Sequence, residues 1–246
     1  MSEVPSTWNE QRSVESFEVD MKGRLKPHML FAYLLNSAWK HATRAAHGYE
    51  DLLGRNQMWV LTKLQAAITR LPEWGEEIRI ETWGKGIEKL CALRDFVVSS
   101  ADGRKLVSAT SAWMILDKDR HRPLRIDQMS FPWKPGRNEM ETRLEKVPAL
   151  EKSERRASFR AVFSDIDVNE HVTAMKYLQW IMDSHEPSLL REMHLSSLEI
   201  SFLSEAVMGD EVTVYSEQRD GHELCSVQRS ADERELCRAR LEWASG

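Results

Sequence analysis

Cysteine is scarce in this chain of 246 residues: Cys91, Cys225 and Cys237 are too few and too unevenly spaced for a disulfide framework or a CxxC motif. A reducing compartment suits them. Long apolar runs are missing too, since the longest, Met29 to Leu35, falls far short of the ~20 residues that span a bilayer. The opening MSEVPSTWNEQRS carries Glu3 and Glu10 and has neither a basic start nor an apolar stretch, so it is not expected to act as a secretory signal. The chain therefore reads as cytoplasmic, or as already trimmed. No two of the 11 glycines are four or five positions apart, so a GxSxG elbow and a Walker A loop are both absent. Gly84 and Gly86 begin a GxG, but Lys89 stands where a dinucleotide fingerprint needs its third glycine. His185 and Glu186 run straight into Pro187, and no HExxH exists. No metal and no cofactor is expected. Charge of one sign is not in excess, with 34 Lys and Arg scattered among 39 Asp and Glu, so there is no basic face for nucleic acid.

What is present is one pattern written twice. Helical spacing of Met29, Leu30, Tyr33, Leu34 and Ala38 predicts a helix from Pro27 to about Ala46, with proline at a first-turn position. Met175, Leu178, Ile181 and Met182 predict a second, from Val172 to about Ser184. Strand-like stretches follow each one. In the first half they run from Trp59 to Ile68, Glu77 to Trp83, Cys91 to Ser99 and Lys105 to Leu116; in the second, from Leu198 to Leu203, Glu211 to Ser216, Glu223 to Arg229 and Glu235 to Trp243. The stretch GRKLVSATSAW also resembles ERELCRARLEW, which suggests an internal duplication. Between the halves lies a charged stretch with Pro123, Pro132, Pro135 and Pro148, read as a linker. The expected class is α+β, each helix burying its apolar side against a curved antiparallel sheet.

The densest polar cluster, FSDIDVNEHV, stands immediately before the second helix. Asp167, Asn169 and His171 alternate with apolar or charged neighbours, so an extended backbone turns all three toward one side. The following helix start offers unpaired N–H groups suited to an oxyanion. Turn and capping duty for Asp167 and Asn169 fits the spacing equally well. Aligning the helices on Tyr33 and Tyr177 sets Gly23, Leu25 and Pro27 opposite the three polar residues, as if one half reacts and the other binds.

DIDVNEHVTAMKYLQW resembles the DxDVNxHVNNxKYxxW signature of acyl-acyl-carrier-protein thioesterases, and GRLKPHMLFAYLLNSAWKHA, RLPEWGEEIRIETW, LRDF and ATSAWMILD resemble that family's first half. The resemblance covers nearly the whole chain. It implies a tandem (double) hotdog: an acyl-binding unit over residues 1–125, a linker over 126–154 and a catalytic unit over 155–246. It also implies hydrolysis of a fatty acyl thioester carried on the phosphopantetheine of acyl carrier protein. On matching positions, Asp167 would orient Asn169, Asn169 would position the thioester, and His171 would act with Glu205, in FLSEAVMGD, to activate water. Either of the last two is eligible as the general base. Plant members carry Cys after that glutamate, whereas this chain has Ala206, so a thiolate mechanism is excluded there. Thr173 and Ala174 also replace the signature's paired asparagines.

Candidate walls for the acyl chain are Met29, Phe31, Ala32, Leu35, Trp39, Met58, Val60 and Leu64, each equally suited to the core. Arg120, Arg122, Arg125 and Lys176 are candidates for steering an acidic carrier protein. Two other readings stay open: an acyl-coenzyme A thioesterase, and an acyl-thioester binding or sensor module without turnover. Whether two chains pair as a homodimer is open as well, because two fused units can already partner each other.

Overall fold

A computed structural model describes residues 5–126 and 135–245. Glu3 and Pro132, used in the sequence reading, lie outside them. The first half runs β1 (Thr7–Ser13), α1 (Pro27–Arg44), α2 (Tyr49–Leu53), β2 (Gln57–Ile68), β3 (Glu77–Glu88), β4 (Cys91–Ser100), β5 (Lys105–Asp117) and the short β6 (Arg122–Pro123). The second runs β7 (Glu154–Arg160), α3 (Ala174–Asp183), α4 (Pro187–Glu192), β8 (Met193–Phe202), β9 (Glu211–Arg219), β10 (His222–Arg229) and β11 (Glu235–Ser245). The class is α+β, with one large antiparallel sheet in the order β1-β3-β4-β5-β2-β8-β11-β10-β9-β7.

The two edge strands, β1 and β7, escape the sequence reading because their side chains are mostly polar and only partly covered. β3 also runs past Trp83, through an irregularity between Gly84 and Gly86.

The central pairing of β2 with β8, from Lys63 opposite Ser201 to Ala67 opposite Ser197, makes the halves one sheet. Glu199 braces that seam. Its carboxylate meets Lys63 Nζ at 2.5 Å and Arg240 Nη1 at 3.3 Å, with Lys63 only 3% exposed. Residues 135–153 form neither helix nor strand. Their backbone N–H groups are held instead by side chains of the sheet: Arg143 donates to Gln65 and Val147 to Ser201.

The two long helices, α1 and α3, each bury an apolar stripe. Pro27 opens α1, where its missing N–H costs nothing, and Leu30, Tyr33, Leu34, Ala38 and His41 follow at helical spacing on the covered side. In α3 the covered set is Tyr177, Leu178, Trp180, Ile181 and Met182. α1 and α3 contact each other, and both stripes join the sheet residues in one continuous core. Phe202 at the end of β8 links them, stacked on Phe31 at 6.3 Å and edge-on to Tyr177 at 5.9 Å.

Candidate active site

The segment before α3 is a tight polar turn. Asp167 Oδ1 accepts the backbone N–H of Asn169 at 2.8 Å, the Asp167 N–H donates to the carbonyl of His171 at 2.8 Å, and Ile166 bridges Val172. Glu170 adopts a positive φ of 65° to let the chain reverse. Asp167 thus shapes the loop through the backbone of Asn169, as the turn reading of these residues expects.

The first half contains the same turn. Val19 bridges Leu25, Gly23 has a φ of 75°, and Asp20 Oδ1 accepts the N–H of Lys22 at 2.8 Å. These pairings place Asp20, Lys22 and Arg24 opposite Asp167, Asn169 and His171. The match built on Tyr33 and Tyr177 is therefore three residues out of register. It misleads because the two tyrosines do different work: Tyr33 bonds the Glu18 carboxylate, while the Tyr177 hydroxyl accepts the N–H of Ala206 at 2.9 Å. Arg24, in the histidine position, bonds Asp20 and the carbonyls of Leu190 and Met193, tying the halves together.

The turn before β9 delivers the carboxylate. Val172 N–H donates to Ala206 O at 2.8 Å and His171 bridges Val207, so residues 205–207 run beside the histidine. His171 Nε2 then lies 3.3 Å from Glu205 Oε2, with the two side chains 23% and 37% exposed. This pair comes from segments more than thirty residues apart, joined by backbone bonds. The Tyr177 hydroxyl buttresses the arrangement, a role that sequence reasoning did not identify; its place in the helix's apolar stripe gave no polar signal. Burial raises its pKa well above the ordinary phenol value and keeps it neutral.

The pair opens into a cavity of about 380 Å³ that also takes in Asp167 and Asn169. Met58, Val60 and Met114 of the first half face it, as do Phe202 and Leu203, and His121 and Arg234 also line it. A second cavity of about 320 Å³ lies within the first half, where Leu35 and Trp39 of α1 face Ile87, Leu93 and Trp113. The proposed chain-binding residues are thus divided. Leu35 and Trp39 line one cavity and Met58 and Val60 the other, whereas Phe31 and Leu64, each 1% exposed, belong to the core. Met29 packs partly buried against that core and Ala32 is half-buried.

Lys176 is engaged with Asp165 at 2.9 Å, while Arg120, Arg122 and Arg125 are exposed. All three cysteines are free thiols, and burial raises the pKa of each, which opposes thiolate formation. Among the described residues no cluster of three or more His, Cys, Asp or Glu is arranged to hold a metal, and no helix is long and apolar enough to cross a membrane.

The class is an α+β protein of two similar halves joined through one antiparallel sheet. The chain belongs to the acyl-ACP thioesterase family: the family's N-terminal domain model matches residues 5–130 and its C-terminal domain model residues 149–245. It is 24% identical to the chloroplastic palmitoyl-acyl carrier protein thioesterase of Cuphea hookeriana, over 94% of this chain and 60% of that protein. It therefore spans about 60% of the length of such curated plant relatives. The crystal structure of an acyl-ACP thioesterase from Bacteroides thetaiotaomicron superposes with a TM-score of 0.83 at 26% identity, covering 99% of this chain and 100% of that one. The 12:0-ACP thioesterase of Umbellularia californica shares the fold, with a TM-score of 0.82 at 20% identity over 98% of each chain.

Proposed function

We propose that the protein hydrolyses the thioester of a fatty acyl-acyl carrier protein to a free fatty acid and the carrier's thiol. The observation that carries this is the 3.3 Å approach of His171 Nε2 to Glu205 Oε2 at the wall of a half-apolar cavity. In this reading the pair takes a proton from water as the water oxygen attacks the thioester carbon. Asn169 and the N–H groups at the start of α3 then hold the oxyanion. When the C–S bond breaks, the departing sulfur takes the proton back from the pair, so atoms and charge balance.

We read the architecture as a double hotdog, with an acyl-binding unit over residues 1–125, a linker over 126–154 and a catalytic unit over 155–246. The β2–β8 seam is the internal counterpart of a dimer interface. The exposed Arg120, Arg122 and Arg125 steer the acidic carrier protein and affect association rate more than chemistry.

Thiol release from acyl-acyl carrier protein and from matched acyl-coenzyme A tests this. Turnover on the carrier substrate, lost in His171→Ala and Glu205→Ala variants that remain folded, is the expected result. Full activity in both variants overturns the site. A strong preference for coenzyme A overturns the partner, and tight acyl binding without turnover identifies a binding module.

A further inference from the structure

We propose that the two cavities are successive compartments of one acyl-chain site and that Trp59 is the partition between them, which makes it a chain-length-determining residue. This rests on the thioesterase reading of the site, but the partition can be measured by binding alone.

Trp59 lines both cavities. Its indole N–H donates to the carbonyl of His47 at 2.9 Å, and its ring meets Trp113 edge-on at 6.4 Å between centroids. The side chain is thus held from two directions. On one side stand His171 and Glu205, with apolar wall from Met58 and Val60. On the other, the cavity is apolar except for Arg94, a guanidinium 7% exposed that bonds His41 Nδ1 at 3.0 Å and Thr82 Oγ1 at 3.1 Å.

A thioester placed at His171 sends its alkyl chain along the apolar wall of the first cavity until it meets the indole. Each methylene that finds apolar wall strengthens binding about fourfold. One that meets an immobile ring gains nothing, and one that must displace it loses the His47 bond. Beyond the ring, the second cavity offers more apolar wall as far as Arg94.

The test measures Kd for non-hydrolysable alkyl-pantetheine thioethers of increasing chain length, together with kcat/KM on the matching acyl carrier proteins. For the native protein both profiles should steepen by about fourfold per methylene and then level. Trp59→Leu, which keeps an apolar side chain but removes the barrier, should move that plateau to longer chains. Ile87→Trp fills the second cavity from its rim, where Ile87 is 41% exposed. Combined with Trp59→Leu, it should bring the plateau back. Circular dichroism and thermal melting check that each variant folds. Profiles that coincide for native, Trp59→Leu and the double variant overturn the partition. A shifted binding profile without thiol release from any chain supports the partition and overturns only the hydrolysis reading.

Discussion

Replacing Tyr177 by Phe removes one oxygen atom and leaves the ring in place, edge-on to Trp180 at 5.5 Å and to Phe202 at 5.9 Å. The lost oxygen is the acceptor for the Ala206 N–H, and both residues are buried, 3% and 0% exposed. With no acceptor, a buried N–H costs about 1–3 kcal/mol. For a chain of this size that lowers Tm by about 2–4 °C per kcal/mol, with the denaturant slope unchanged because the exposed surface on unfolding stays the same. The functional effect follows from position. Ala206 adjoins Glu205 and its carbonyl holds Val172, next to His171, so relaxation here moves the proposed catalytic pair apart or out of line. A displacement near 1 Å reduces kcat by up to roughly 100-fold. KM should change little, since no apolar wall is lost. Urea denaturation and steady-state thiol release on the same preparations read both effects. A Tyr177→Phe protein with native stability and native kcat would refute the positioning role.

Two further predictions concern stability. His41 is fully buried in α1, and burial together with the adjacent Arg94 lowers its pKa to about 4, against 6.5 as the ordinary value. The unfolded chain therefore binds a proton that the folded chain refuses, so stability is complete above pH 6.5 and declines toward pH 4, by roughly 3 kcal/mol from this group. Denaturation at several pH values should show that decline, and a His41→Gln variant should flatten it; an identical slope in the variant would contradict the assignment. At the seam, Lys63→Met removes the closest cation of Glu199 and leaves the 3.3 Å contact with Arg240, so a loss of about 3–5 kcal/mol, the cost of breaking a buried ion pair, is the upper bound. Unchanged stability in chemical denaturation would show that Arg240 alone compensates Glu199.

The two long helices were legible because Leu30, Tyr33, Leu34 and Ala38 recur at a period that only a one-sided helix explains, and β3 because Ile78 and Ile80 alternate with Arg79 and Glu81. Less legible were β1 and β7, whose polar side chains suit an edge and imitate a loop. Periodicity finds covered positions, but core and cavity look alike to it: Phe31 and Leu35 sit on one helix, the first in the core and the second at a cavity. The clustering of Asp167, Asn169 and His171 was readable locally. The approach of Glu205 to His171 was expected only from the family resemblance, because it depends on backbone bonds from Ala206 and Val207 that leave no mark on side-chain pattern. Similar tyrosines hid the register of the repeat, which the bridges Val19–Leu25 and Ile166–Val172 restore.

A double-mutant cycle on His171 and Glu205, read as single-turnover thiol release from acyl-acyl carrier protein, tests the central claim most directly. Groups that move one proton as a unit lose most of their effect when either is removed. Glu205→Gln and His171→Asn should each slow release by roughly 100-fold or more, and the double variant should be hardly slower than the worse single one. Penalties that multiply in the double variant, or a single variant that keeps native rate, would contradict a shared role for the two groups.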